Sequence, residues 1–573
     1  MSDHLLRKLF EDHLEEQLRQ LPVHASRMGD HRYDDQIEDL SVEAREARTG
    51  AERQILARLA DEIDYDGLSR PAQIDYEIFR HNLQEEIWLA GNIRAFEEDP
   101  RTYNQYLTGS VYSLLTQSSL PRENNITNAI ARMRKLPEVI ARARSTLTSP
   151  PLPVLETGIG QNRGVISFYE EGIYDLIGDS PLREDVRQAA ADLLPHLRDY
   201  QQFLETDLRE RATGDWRLGK EKFDRKLQFA VNADTTADEV LAQAESEFHR
   251  VTSEMHVVAR QLWSNYHPGL PLPPDDETGR HETITRVLGS IGREHGDPGS
   301  LLADARATVG NLKRFIAEND ILRLPDPDQC ELMEMPEFHR GNSLAYIQPA
   351  PPLDPENRTI YAISPPPADW DAERVESFLQ EYNRHMLQIL TIHEAYPGHY
   401  VQLAYHNRER SPIRRLLLSG VFIEGWAVYT EQMMLDQGYG DGDLSLRLTQ
   451  LKFYLRAVAN AILDHRMHCT SMSDEEALDF LMNQSFQSEG EARLKIIRSK
   501  QSTVQLSTYF VGRMALCELR REIQREQGVD FDLGRYHEAV LSHGSLPVKY
   551  LGEVVRERLR KPRQDPAAKK RAP

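Results

Sequence analysis

A large, mainly α-helical fold with a small β element beside its functional residues is predicted by three observations. Five long runs, at residues 72–90, 184–211, 237–266, 371–390 and 448–467, carry apolar residues at three- and four-residue spacing, the period of a helix with one buried face. Proline and glycine clusters punctuate the chain and mark the connections. Only one region, around residues 343–363, is rich in β-branched and aromatic residues in short runs.

In chain order, the opening MSDHLLRKLFEDHLEEQLRQL reads as an amphipathic, charged helix. Loops are expected at SPPLPVLETGIGQNRG (149–164), at HPGLPLPPDDETG (267–279), and at PAPPLDPENRT (349–359) with SPPP (364–367) close behind. SLAYIQ (343–348) and RTIYAI (358–363) read as two strands of a small hairpin, one of which is placed to pair with an extended peptide backbone. Residues 1–330 form an N-terminal helical region and 331–555 a metal-binding region, together one continuous compact unit. Residues 556–573 are basic and rich in Pro and Ala, and read as a flexible tail.

The chain has 573 residues, 40% apolar and 28% charged, a globular composition with ample length for a large core. Its formal charge of −22 argues against nucleic acid as a partner, because that affinity rests on neutralising phosphates. Cys330, Cys469 and Cys517 are widely spaced and form no CxxC pair, which suits free thiols in a reducing compartment. No apolar signal segment opens the chain, and no stretch reaches the ~18 apolar residues of a membrane span. A cytoplasmic protein is expected.

The chemistry concentrates in LQILTIHEAYPGHYVQ (387–402). Zinc hydrolases commonly carry HExxH on a helix, where histidines four residues apart share one face and the adjacent Glu reaches the water on the metal. Here the second histidine, His399, lies six residues after His393, a rotation of ~240° on a regular helix that would separate the rings. Pro397 and Gly398 supply the remedy. A proline inside a helix clashes with the preceding turn, and glycine accepts dihedrals closed to other residues. If two residues are extruded as a bulge, His399 returns to about the i+4 position. Glu424, in VFIEGWAVYTE (421–431), is the candidate third ligand. Two His and one Glu leave an open position, the pattern of a catalytic zinc site. Glu431 lies within ~20° of Glu424 on the same helix face and is placed to orient a ligand histidine from behind.

HEAYPGHYVQ (393–402) and EGWAVYTE (424–431) resemble the paired signatures of the DUF885 family, bacterial proteins similar to gluzincin metallopeptidases. The likeness extends to MGDHRYDDQIEDLS (28–41), ILDHRMH (462–468), QLSTYFVGRMALCELR (505–520) and YHEAVLSHGSLPVKYL (536–551). It implies a helical zinc-peptidase-like fold with a deep cleft, one Zn2+ on His393, His399 and Glu424, and Glu394 as general base. Thr503-Val504-Gln505 departs from the family's frequent Pro-Gly-Gln at that place.

The expected reaction is hydrolysis of a peptide or small amide, with Glu394 taking a proton from water and passing it to the leaving amine. Tyr509 is the first candidate donor to the oxyanion, and His468, four residues after Asp464 on one helix and oriented by it, is the second. Tyr396, Trp426, Tyr429 and Tyr346 are candidates to line a substrate pocket. A non-peptide amide or ester substrate, a non-catalytic peptide-binding scaffold and a two-His-one-carboxylate iron oxygenase stay open as alternatives, although the last has no use for Glu394.

Overall fold

The computed structural model describes residues 2–335, 345–355, 357–367 and 370–560. Helices dominate it. The helix at Ser2–Gln20 and the helix at Val548–Arg560 bury residues in one shared core, in which Leu6, Phe10 and Phe79 join Ile389, Ile392, Trp426 and Leu559. A second core packs the Ala237–Tyr266 helix against the Leu444–Cys469 helix through residues such as Val251, Met255, Leu455 and Val458. A third is confined to residues 40–208. The first two cores meet at the site, because residues of one helix, Gly420–Asp436, serve both: Phe422 and Trp426 face one, Val421 and Val428 the other.

The small sheet has three strands: β1 (Cys330–Glu334), β2 (Ala345–Gln348) and β3 (Thr359–Ile363), in the order β1-β3-β2. β2 and β3 form the expected antiparallel pair, with Ala345 opposite Ile363 and Gln348 opposite Ile360. Ser343 and Leu344, expected in the first strand, lie outside the described residues. β1, which the sequence pattern does not reveal, runs parallel to β3 with Cys330 opposite Thr359. Its five residues CELME show no clean alternation, and it is defined by its long-range partner rather than by its own pattern. β3 is buried along its whole length, and Tyr361 meets the Thr391 hydroxyl at 3.2 Å, which ties the sheet to the helix carrying His393.

Four expected boundaries change. Residues 149–164 are not a loop: a helix spans Leu152–Ser167. Pro153 sits in its first turn, where a missing N–H removes no helical bond, and a side chain on Gly158 would lie 2.7 Å from Pro100 Cγ, so glycine permits the close packing. The run 371–390 is two helices, Ala372–Glu381 and α1 (Arg384–Glu394), because Asn383 accepts from the amides of His385 and Met386, both at 3.1 Å, and starts the second helix itself. The run 184–211 ends as an α-helix at Glu205. The chain from 556 continues helically to Arg560, and the rest of the expected tail lies outside the described residues. No described helix is long and apolar enough to cross a membrane, and the three cysteines are free.

The remaining site helices are α2 (His399–His406), α3 (Gly420–Asp436), α4 (Leu444–Cys469), α5 (Glu489–Gln501) and α6 (Gln505–Gln527). α3 and α6 cross at a glycine pair. A Cβ on Gly425 would lie 2.3 Å from the Gly512 carbonyl carbon, and one on Gly512 would lie 2.0 Å from the Val421 oxygen. Bare backbone at the crossing brings Glu424 of α3 beside Tyr509 of α6.

α6 starts under tension. Val504, just before it, has φ +71°, a left-handed conformation in which a β-branched residue is an outlier. Asp464 of α4 holds the turn, accepting from the amides of Val504 at 3.2 Å and Ser507 at 3.1 Å and from the Ser507 hydroxyl at 2.8 Å. In Val504→Gly, the loss of a side chain that is 2% exposed, about 2 kcal/mol, is opposed by release of about 1–3 kcal/mol of backbone strain. Its thermal midpoint is therefore expected to stay close to that of the wild type. Val458→Gly, at an equally buried site inside α4, is expected to lose roughly 3 kcal/mol or more. Equal losses in the two variants would remove the strain at Val504.

Candidate metal centre

The two histidines meet because the chain makes two helices where one would separate them. α1 ends at Glu394, and α2 begins at His399. Between them the Tyr396–Pro397 peptide is cis, and the chain turns back so that the amides of Tyr396 and Gly398 bond the oxygens of Thr391 at 3.2 Å and Ile392 at 3.0 Å. The sequence pattern predicts a bulge in one helix; the structure has a break. Gly398 is required there, since a Cβ would lie 1.9 Å from the His393 oxygen. Trp426 of α3 clamps the turn from the far side, its indole N–H donating to the Pro397 oxygen at 2.9 Å.

The outcome is a cluster of three donors. The His393 and His399 rings stand edge to face, with centroids 4.7 Å apart. Nε2 of His399 is 3.5 Å and Nε2 of His393 is 4.0 Å from one carboxylate oxygen of Glu424. The three candidate ligand atoms lie within 4.8 Å of one another. Ligands of a tetrahedral ion held at about 2.0–2.2 Å sit roughly 3.3–3.5 Å apart, so a small contraction closes the cluster on an ion. The donor set of two imidazoles and a carboxylate suits zinc.

Glu431, seven residues after Glu424, is completely buried and lies 2.7 Å from Nδ1 of His393. It thus orients the ring whose opposite nitrogen faces Glu424. The edge of Phe453 faces His393 with centroids 5.8 Å apart, an apolar wall behind the ligand.

Electrostatics separate the two imidazoles. Burial pushes His393 down to about 3, and the neighbouring His399 adds to this, so His393 is neutral and ready to coordinate. Burial opposes charge on His399 as well, but its hydrogen bond to Glu424 and the charges of Glu424 and Glu394 outweigh it, and His399 is raised. Glu424 is correspondingly lowered: burial works against its charge, and its bond to His399 prevails. Glu394 is pushed up to about 7, by burial first and by the charge of Glu424 after it.

Tyr509 joins this cluster. Its hydroxyl accepts from Arg498 Nη2 at 3.0 Å and Gln505 Nε2 at 3.1 Å and donates toward Glu424. Burial and the charge of Glu424 raise it, so it keeps its proton.

Other candidates stand elsewhere. His468 shares one ring nitrogen with the Ser499 oxygen at 2.7 Å, accepts from the Leu218 amide at 3.4 Å with the other, and stacks on Phe223; it is a core histidine, pushed by burial down to about 4. Asp464 caps α6 and does not orient His468. Tyr396, Trp426 and Tyr429 are 1%, 0% and 2% exposed, so they do not line a pocket. Tyr396 donates to Asp328 at 2.8 Å, and Tyr429 is bonded to His537 at 2.7 Å. Tyr346 on β2 bonds with Tyr112.

Sequence reasoning missed Lys495 and Arg498, three residues apart on α5 and beside Glu424 and Tyr509. The available signal was two basic residues at helical spacing shortly before the Tyr509 segment.

A family described as "Bacterial protein of unknown function (DUF885)" matches residues 22–555. Among solved structures, one described as a "putative lipoprotein of unknown function" from Shewanella oneidensis is 28% identical, with a TM-score of 0.80, covering 96% of this chain and 99% of its own. A second, from Colwellia psychrerythraea and described in the same way as a lipoprotein, is 18% identical with a TM-score of 0.79, covering 98% and 100%, and shares the fold. No functionally curated protein matches. The cytoplasmic placement expected from the sequence is overturned by these likenesses, since both similar structures are described as lipoproteins.

Two outcomes follow from the cluster. Glu431→Gln is expected to weaken zinc binding roughly 10- to 100-fold in competition with a chelator; unchanged affinity would remove Glu431 from the site. His399, raised and therefore more protonated near neutral pH, must release its proton to bind a metal, so affinity is expected to fall as pH falls. Calorimetry in two buffers of different ionisation enthalpy reads that proton, and identical heats would refute its release.

Proposed function

The chain belongs to the DUF885 family, and from that premise we propose that it is a zinc-dependent hydrolase that cleaves peptide bonds. The observation that carries this reading is a carboxylate, Glu394, directly following one ligand candidate, inside the field of the other two, and poised near neutrality. A general base works best when its affinity for protons matches the working pH.

A zinc ion held by His393, His399 and Glu424 would supply a Lewis acid that acidifies water and polarises a carbonyl. The protein's own groups account for the rest. Glu394 takes a proton from the attacking water and returns it to the departing amine, so it ends each turnover as it began. Tyr509 has its lone pairs occupied by Arg498 and Gln505, which leaves its single proton directed at the cluster, where an oxyanion would form. β2 stands at one edge of the sheet, joined through β3 to α1, and offers a strand along which an extended peptide can lie. Glu424, with a side chain 20% exposed, leaves the cluster open to solvent on one side.

An adjacent base separates this reading from oxygen chemistry at a similar ligand set. Glu394→Gln is expected to keep its zinc and lose about 10²- to 10⁴-fold in kcat on a peptide library read by mass spectrometry. Chelation should abolish cleavage, and zinc should restore it. Undiminished turnover in the variant would sink the assignment of the base, and stoichiometric iron in the purified protein would sink the zinc assignment.

A further inference from the structure

α5 carries two basic residues three positions apart, Lys495 and Arg498, and among the described residues neither forms an ion pair. Lys495 is 7% exposed, yet among the described residues it makes no hydrogen bond or ion pair. Carboxylates of this region have partners elsewhere, although Oε2 of Glu491, one turn earlier on α5, has none. Glu491 pairs with Arg456 at 2.8 Å, Glu381 with Lys452 at 2.8 Å, and Glu424 belongs to the ligand cluster. Arg498, three residues on, bonds only neutral groups: the Gln505 oxygen at 2.7 Å and the Tyr509 hydroxyl at 3.0 Å. Lys495 is buried without a bond and Arg498 is exposed at the edge of the cluster, so both are available to an anionic group of a ligand.

Their position defines that ligand. Arg498 is one phenol away from Glu424, and burial, with the charges of Arg456 and Arg498, holds the Lys495 ammonium well below the usual lysine range against the smaller pull of Glu491 and Glu424, so an anion arriving beside it would favour its charged form. A group bound between them lies next to the amide that the cluster would cleave. Lysine offers a point charge, and arginine a planar fork matched to two oxygens.

We propose that Lys495 and Arg498, with Gln505 steadying the guanidinium, form a subsite for a carboxylate of the substrate, so that the protein acts on peptides carrying a carboxylate close to the cleaved bond, as at a free C-terminus. This deepens the hydrolase reading and rests on it for the cleavage, though not for the binding. A free chain end and an acidic side chain share this chemistry.

The test separates the two sources and the two claims. Calorimetry on the metal-free full-length protein compares the tripeptide Ala-Ala-Ala as free acid, the same peptide amidated, and amidated Ala-Ala-Glu. The free acid is expected to bind roughly 10- to 100-fold more tightly than its amide, with the difference lost in Lys495→Met and in Arg498→Met. Equal recovery by the amidated Glu peptide would assign the subsite to side chains rather than chain ends. Equal binding of acid and amide, or none of either, overturns the subsite. Thermal unfolding guards against a misfolded variant: replacing a buried lysine that makes no bond is expected to raise or preserve the midpoint of Lys495→Met, and a clear drop would make the lysine structural and overturn the proposal. Turnover of the same peptides by the zinc-loaded protein reports separately on hydrolysis. Absence of cleavage with the binding difference intact would refute the hydrolase and leave the subsite standing.

Discussion

The bond from the Trp426 indole to the Pro397 oxygen holds the site together, because it fixes a turn that has no helical reason to exist. Between Glu394 and His399 the chain leaves one helix and begins another within a few residues, and the only room for it is the space that a side chain on Gly398 would fill. The clamp comes from α3, the helix that also presents Glu424 and Glu431. One element thus sets the angle between the two imidazoles, supplies the carboxylate between them and backs His393 from behind. The glycine pair at the α3–α6 crossing extends this frame to Tyr509. The geometry is carried by backbone approach and two buried polar contacts, so it sits on rigid helices rather than on loops.

The charges follow from this packing. A buried carboxylate or imidazole holds its charge only with a partner. His393 has Glu431 but is crowded by His399, and becomes neutral; His399 has Glu424, and becomes the proton carrier of the metal-free site. Burial outweighs the pull of His399 on Glu394, which is pushed up to about 7. Three carboxyl groups and two imidazoles are sorted into different roles by who faces whom, and a divalent cation entering the cluster would meet one neutral ring, one displaceable proton and one carboxylate already ionised.

The site is legible in the sequence wherever a local period decides it. Seven residues on a helix return to nearly the same face, so spacing alone puts Glu424 and Glu431 together. The Pro397-Gly398 pair signals that the helix cannot continue, although not that it breaks instead of bulging. Where long-range partners decide, the sequence misleads. Asp464 and His468 do lie on one helix at four-residue spacing, but each is claimed by backbone from another segment, the start of α6 and the end of α5. Tyr396, Trp426 and Tyr429 flank the motif in sequence and point into the core. The helix at Leu152–Ser167 is hidden by prolines and glycines that read as loop residues, and β1 by a partner strand that arrives almost thirty residues later. Where in the cell the protein resides leaves no legible trace at all.

Unpaired buried polar atoms occur along the whole described chain, and several border the cluster. Nδ1 of His399, Oε2 of Glu431 and Oε2 of Glu491 have no partner within reach, and Lys495 has none among the described residues. Each costs stability, typically about 1–3 kcal/mol for a buried group left unpaired. Such atoms recur from His31 to His543, so their presence alone does not mark the site; what sets Lys495 and Arg498 apart is their place beside Glu424 and Tyr509. A cation between the imidazoles would be held by their Nε2 atoms and Glu424, and an anionic group against α5 would meet Lys495 and Arg498. On this view part of the cost of burying Lys495 is recovered when ligand binds, on a frame that the helices already hold.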